Sequence, residues 1–147
     1  MRLDRWRRLL PGLWAGLLLG VAALGTPSAF ALLARADAGR VAGRMLAHEA
    51  YASLALGMVM LILERSAARR GAGPQFGAGV ALAAGALFCT IAGHFALLPL
   101  MEAARAGAGT YRFAELHAVS TAFYGVKLVL VIALAWRATA ITAPPSS

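Results

Sequence analysis

Apolar residues are gathered into four long blocks, separated by short stretches rich in Arg, Gly and Pro. The blocks cover residues 13–33, 45–63, 77–101 and 117–136. Each is near or above the roughly 20 residues that a helix needs to cross the hydrocarbon core. Backbone polar groups in lipid must be satisfied within their own segment, so single spans of this kind are helices. The pattern predicts an all-α membrane protein, a four-transmembrane-helix bundle forming a single membrane domain over residues 1–147. The Pro-Pro-Ser-Ser ending makes 138–147 a disordered tail.

Within the fourth block, His117, Ser120, Tyr124 and Lys127 follow one another at steps of three, four and three, which sets them on one helical face. A polar stripe in lipid has to face protein or water, so the other helices are expected to assemble around it. Counted from His117, Lys127 lies about 15 Å along the helix, near mid-membrane. A cation there costs at least roughly 2.5–3.5 kcal/mol on insertion scales. Glu49, Glu102 and Glu115 are expected nearer the outer face, which leaves Lys127 without an acidic partner at its own depth. It either snorkels towards an interface or handles protons or solute.

Small residues mark two further faces. Gly12, Gly16 and Gly20 recur every four residues in the first block, and Gly77, Ala81, Gly85, Cys89 and Gly93 do so in the third. Such faces admit a neighbouring helix closely, and the two are expected to pack together. The first block also carries a competing reading as a cleavable leader. A basic start and an apolar stretch precede Pro27-Ser28-Ala29-Phe30-Ala31, which offers an A-x-A site. Continued apolarity at Leu32 and Leu33 and the glycine face favour a retained span, kinked at Pro27. Residues 34–44 read as a polar connector with one amphipathic turn.

Hydrophobic residues make up 61% of the chain, above the roughly 45–50% of soluble domains. The net charge of +8 does not imply nucleic acid, because the arginines flank the apolar blocks, where the topology signal belongs. With four spans, the termini and the middle connector share one side. That side holds eight arginines (Arg2, Arg5, Arg7, Arg8, Arg65, Arg69, Arg70 and Arg137), against five on the other (Arg35, Arg40, Arg44, Arg105 and Arg112). Both termini are therefore expected in the cytoplasm, with the protein in a bacterial inner membrane. Cys89 is the sole cysteine, so no internal disulfide forms.

Three histidines from three blocks, His48, His94 and His117, are expected in the outer third of the bundle, with Met45 and Met101 at similar depth. Imidazole with thioether suits copper, and two facing imidazoles suit a b-type haem. The bland alternative is hydrogen bonding between helices. Tyr51, Ser53, Thr90 and Thr121 are read as interhelical hydrogen bonds. Soluble-enzyme signatures are missing: the chain has no phosphate-binding Gly loop with Lys-Ser/Thr, no G-x-S-x-G, no Cys pair and no H-E-x-x-H. Ser120 with His117 is the only local nucleophile–base spacing, and on a membrane helix such pairs usually pack.

Several motifs resemble the transmembrane protein 205-like family (domain of unknown function 4149). They are Pro27 with Phe30-Ala-Leu-Leu, then Ala38-Gly39-Arg40-Val41-Ala42-Gly43-Arg44-Met45-Leu46, Leu98-Pro99-Leu100-Met101-Glu102-Ala103-Ala104-Arg105, and Phe113-x-x-Leu116-His117-x-x-Ser120. Two positions depart from the family pattern: Leu46 stands where an aromatic is common, and Tyr124 where an Asn often follows. The resemblance implies four spanning helices with the first retained, and no established activity. An internal echo between Leu46-Ala-His48…Gly57 and Leu116-His117…Gly125, each after a Pro, fits two tandem hairpins with His48 and His117 equivalent.

The expected function is that of a non-enzymatic membrane protein, an accessory or interaction subunit that forms homo-oligomers or joins other membrane proteins in the lipid bilayer. The alternatives are metal or haem binding or transport through His94, His117 and His48, and proton- or solute-coupled transport through Lys127.

Overall fold

The computed structural model describes residues 2–71 and 73–140. α1 (Arg2–Leu19) runs through a π-helical stretch (Gly20–Gly25) into α2 (Thr26–Leu32), and together they contain the first span, Leu3–Leu32. α3 (Arg35–Arg69) is the second span. α4 (Ala78–Thr90), a second π-helical stretch (Ile91–Ala96) and α5 (Leu98–Arg105) make the third, and α6 (Phe113–Ala140) is the fourth. All four are long and apolar enough to cross a membrane, and no strand occurs among the described residues. Most of the expected tail, 141–147, lies outside the described residues.

The two π-helical stretches have the same cause. Proline has no N–H to donate and its ring clashes with the carbonyl four residues earlier. Pro27 and Pro99 stand near the starts of α2 and α5, so the affected carbonyls belong to Ala23 and Phe95, each inside a π-helical stretch. Widening one turn carries the helix past the obstruction without ending it. Spans one and three thereby each carry a widened turn just ahead of a proline.

Around the bundle, each span packs on the next and the fourth returns to the first. The first and third spans are diagonal, with no close approach of α1 to α4. One half, at the end where α1 begins and α6 ends, is filled by Trp14, Leu18, Met60, Leu63, Ala83, Ala86, Val131 and Leu134. Packing there draws on all four spans, so the first span is an integral wall of the bundle. At the tip of this half Arg7 and Glu64 form a two-pronged ion pair, Nε–Oε1 2.9 Å and Nη2–Oε2 3.0 Å.

The other half, towards the 33–34 and 106–112 connections, is built differently. Among the described residues, 20–32 make no close backbone approach to α6, and α3 makes none to α5. Past the π-helical stretches the bundle therefore divides into two hairpins, α2 with α3 and α5 with α6. The space between them is the site described below.

Two expectations about packing are corrected here. A Cβ added at Gly12, Gly16 or Gly20 would meet nothing within 4 Å, so among the described residues that face receives no helix of this chain. On the third span, Gly85 faces Leu130 and Gly93 faces Phe123, both from α6, whereas Gly77 faces only Pro74 and Ala81 is exposed. A stripe of residues at every fourth position drifts about 40° around the helix per step, so Gly77 and Gly93 end up on different sides. The segment 34–44 is also helical from Arg35 onwards. Ala38 and Ala42 are buried, and its alanines favour the helix.

Candidate functional site

Between the two hairpins lies a cavity of about 870 Å³ walled by all four spans. The stripe of His117, Ser120, Tyr124 and Lys127 runs along its α6 wall. Glu49, His94, Cys89 and Met101 face it from the second and third spans. Arg35, Arg40 and Arg105 line its mouth.

At its blind end sits an ion pair that sequence reasoning missed. Lys127 Nζ lies 2.8 Å and 2.9 Å from the two carboxylate oxygens of Glu49, and each residue is only 3% exposed. The pair is at one depth because Glu49 lies fourteen residues after Arg35 and Lys127 fourteen after Phe113. At 1.5 Å per residue, both are roughly 21 Å from the loop end of their helices. The expectation that Lys127 lacks an acid at its depth is thus corrected. It rested on a helix starting at Met45, whereas α3 starts ten residues earlier.

The pair is held from both sides. Ser53 donates its hydroxyl to Glu49 Oε1, and Trp14 Nε1 donates to Ser53 Oγ at 2.8 Å. Lys127 Nζ stands 4.6 Å from the centre of the Tyr124 ring, and Tyr124 donates its hydroxyl to the Leu18 carbonyl at 2.8 Å. This chain of contacts ties spans one, two and four together. Among the described residues no buried side-chain nitrogen or oxygen is left without a partner, which is what a charge pair in lipid requires. Higher on the wall, Ser120 donates to the Gly93 carbonyl at 2.6 Å, joining α6 to the second π-helical stretch.

The other predicted polar residues divide. His94 packs edge-on against Phe95, and His117 stacks on Phe113; both line the cavity. His48 is exposed and Met45 lies against Gly25, so neither joins them at the cavity. Among the described residues no three His, Cys, Asp or Glu side chains come together as a metal-binding group. Glu102 and Glu115 are exposed and do not line the cavity. Ser53 does bond between helices, but Thr90 and Thr121 bond carbonyls of their own helices, Ala86 and His117. Tyr51 is exposed, its ring edge-on to Phe95. The two hairpins do not set His48 and His117 at equivalent depth: they lie thirteen and four residues into their helices. Glu49 and Lys127 are the equivalent positions instead.

A buried Lys–Glu pair on a cavity wall has two chemical capacities. Either member can exchange its partner for an incoming ion, and the pair can pass between charged and neutral forms if a proton moves from the ammonium to the carboxylate. The arginine mouth adds a positive field.

No curated protein and no solved structure matches the chain. The profile described as Domain of unknown function (DUF4149) matches residues 9–110, which takes in three spans and stops short of the Phe113–Ser120 motif. That stretch exceeds half of the 147 residues, and the chain belongs to the DUF4149 family.

Proposed function

We propose that this small integral membrane protein takes a solute into the cavity between its hairpins and couples that binding to proton movement at Glu49 and Lys127. The carrying observation is the ion pair at the blind end of the cavity. Fully satisfied, it is tolerated in lipid; placed beside open space, it is also available to an arriving ion. A purely structural pair would be expected in the packed half, away from any cavity. The protein acts as a non-enzymatic carrier, of the transmembrane protein 205-like kind, in a bacterial inner membrane with both termini cytoplasmic.

Purified protein in liposomes with a trapped pH-sensitive dye tests this. Under an imposed pH gradient the wild type is expected to dissipate the gradient faster than empty liposomes. Lys127→Met and Glu49→Gln should return to the empty-liposome rate while keeping their helix content. Equal rates for wild-type and empty liposomes would sink the proton-coupled reading.

A second reading, an interaction subunit, is favoured by the outward glycine face of α1. Gly12 and Gly16 are exposed and have no neighbour among the described residues, as a face for another membrane helix requires. Gly12→Leu with Gly16→Leu should then shift the oligomer to monomer in native-like lipid. A wild type that is already monomeric there counts against it.

A further inference from the structure

We infer that the ligand of this cavity is an amphiphile with an anionic head group, drawn from the bilayer through the gap between spans one and four. The inference rests on the cavity being a ligand site, as proposed above, and adds the ligand's class and route.

The route follows from the backbone. No close approach joins residues 20–32 to α6, although α1 packs on α6 in the other half. Ala22 and Phe30 on one edge of this gap, and His117 and Thr121 on the other, line the cavity and are themselves exposed. The cavity is therefore open along that edge. Ala22 lies eleven residues before Leu33, so the opening extends roughly 16 Å below the loop end. That depth is hydrocarbon, where a water-soluble ion would not approach and an acyl chain would.

The class follows from the lining. Phe30, Leu46, Leu98 and Phe113 give the upper walls an apolar surface suited to an acyl chain. The charged groups are unbalanced: Arg35, Arg40 and Arg105 line the mouth, while among the described residues Glu49 is the only acid on the wall and is engaged by Lys127. Arg40 is paired within its own helix to Asp37, and Arg105 lies with its guanidinium 4.6 Å from the Phe113 ring centre, at the rim. Arginine is suited to phosphate, through its fixed fork of N–H donors. A neutral or cationic head group would meet two guanidinium groups, those of Arg35 and Arg105, with no acidic partner among the described residues, and a third, that of Arg40, already offset by Asp37.

The test uses the full chain in mild detergent and native mass spectrometry with added phosphatidylglycerol or phosphatidylcholine of identical acyl chains. One phosphatidylglycerol per chain is expected at about tenfold lower concentration than phosphatidylcholine, the effect of one good charge-assisted contact. Arg35→Gln with Arg40→Gln and Arg105→Gln should abolish that preference, whereas Arg65→Gln with Arg69→Gln, at the opposite end, should leave it. Cys89, on the cavity wall, reports location: its reaction with N-ethylmaleimide should slow several-fold when phosphatidylglycerol is bound and not with inorganic phosphate. If the triple variant fails to fold, Gly43→Leu, which fills the cavity without removing charge, should lose the Cys89 protection. Equal binding of the two lipids, a preference that survives the triple change, or unprotected Cys89 each overturns the inference. Protection by inorganic phosphate alone also overturns it, in favour of a small-anion site. Proton flux is a separate readout. Flux absent with lipid preference intact rejects the coupling alone, and the reverse result rejects the amphiphile alone.

Discussion

The two halves of this bundle use the same kinds of residue to opposite ends. In the terminal half, the inward-facing glycines accept neighbours: a Cβ at Gly79 would run into Glu64 Oε2, and one at Gly57 would come 2.7 Å from Leu87. In the loop-end half, Gly39 and Gly43 line the cavity and would meet nothing within 4 Å. Charge follows the same division. Arg7 and Glu64 close over a space of only about 20 Å³, whereas Glu49 and Lys127 stand at the edge of about 870 Å³. Both pairs are well bonded, but only one has somewhere for an ion to go. The lesson is that packing around a polar group, more than the group itself, separates a clasp from a site.

Removing one charge from each pair should break this symmetry most visibly. Glu49→Gln leaves Lys127 buried without its counter-charge, and such a loss costs about 3–5 kcal/mol. Arg7→Gln removes a charge-assisted fork at the bundle's tip, where the side chains of Arg7 and Glu64 keep 11% and 13% of their surface, and should cost about 1.5–3 kcal/mol. Reversible unfolding in mild detergent measures both. Glu49→Met with Lys127→Met removes both buried charges at once and should recover most of the single-variant loss. A double variant no more stable than Glu49→Gln would mean the pair does not act as a unit.

How much of this was legible beforehand depended on what kind of signal each part leaves. Apolar blocks announce spans because lipid imposes length and composition on them directly. The stripe from His117 to Lys127 was legible because polar residues at helical spacing stand out in an apolar run, and the structure lays all four along the cavity. Glu49 was hidden by an error of depth. Apolar content alone starts its helix at Met45, yet Ala38, Ala42, Glu49, Ser53 and Gly57 already form one buried face from the early turns of α3. Continuing that face back through the arginines would have lowered Glu49 to the level of Lys127. The glycine stripes mislead for a different reason. Spacing identifies a smooth face but carries no information on whether a neighbour of the same chain lies against it, and for Gly12 and Gly16 none does among the described residues.

The next contrast compares bulk added on either side of the dividing line. Gly57→Ala puts a methyl 2.7 Å from two Leu87 carbons and 3.1 Å from Trp14 Cη2. Trp14 is fully buried and bonded to Ser53, so it cannot give way without disturbing the chain of contacts to Glu49. Overpacking of this kind costs about 1–3 kcal/mol. A neutral outcome would show that the terminal half is looser than its contacts imply.

Gly43→Leu is the matching change in the open half, and it should barely alter stability. Leucine forms helix better than glycine by up to about 1 kcal/mol, and nothing stands within 4 Å of the new Cβ. The side chain projects into the cavity, where it occupies space an acyl chain would use. Stability and function should therefore separate: an unchanged or slightly raised unfolding midpoint, with proton flux and lipid protection of Cys89 both reduced. Reduced flux with a lowered midpoint would instead mean that the hairpins close on each other in the membrane and that the leucine forces them apart. An unchanged midpoint with unchanged flux would move the ligand away from the α3 wall altogether. Only the first outcome fits a half that stays open while its fold would tolerate bulk at the cavity-lining glycines.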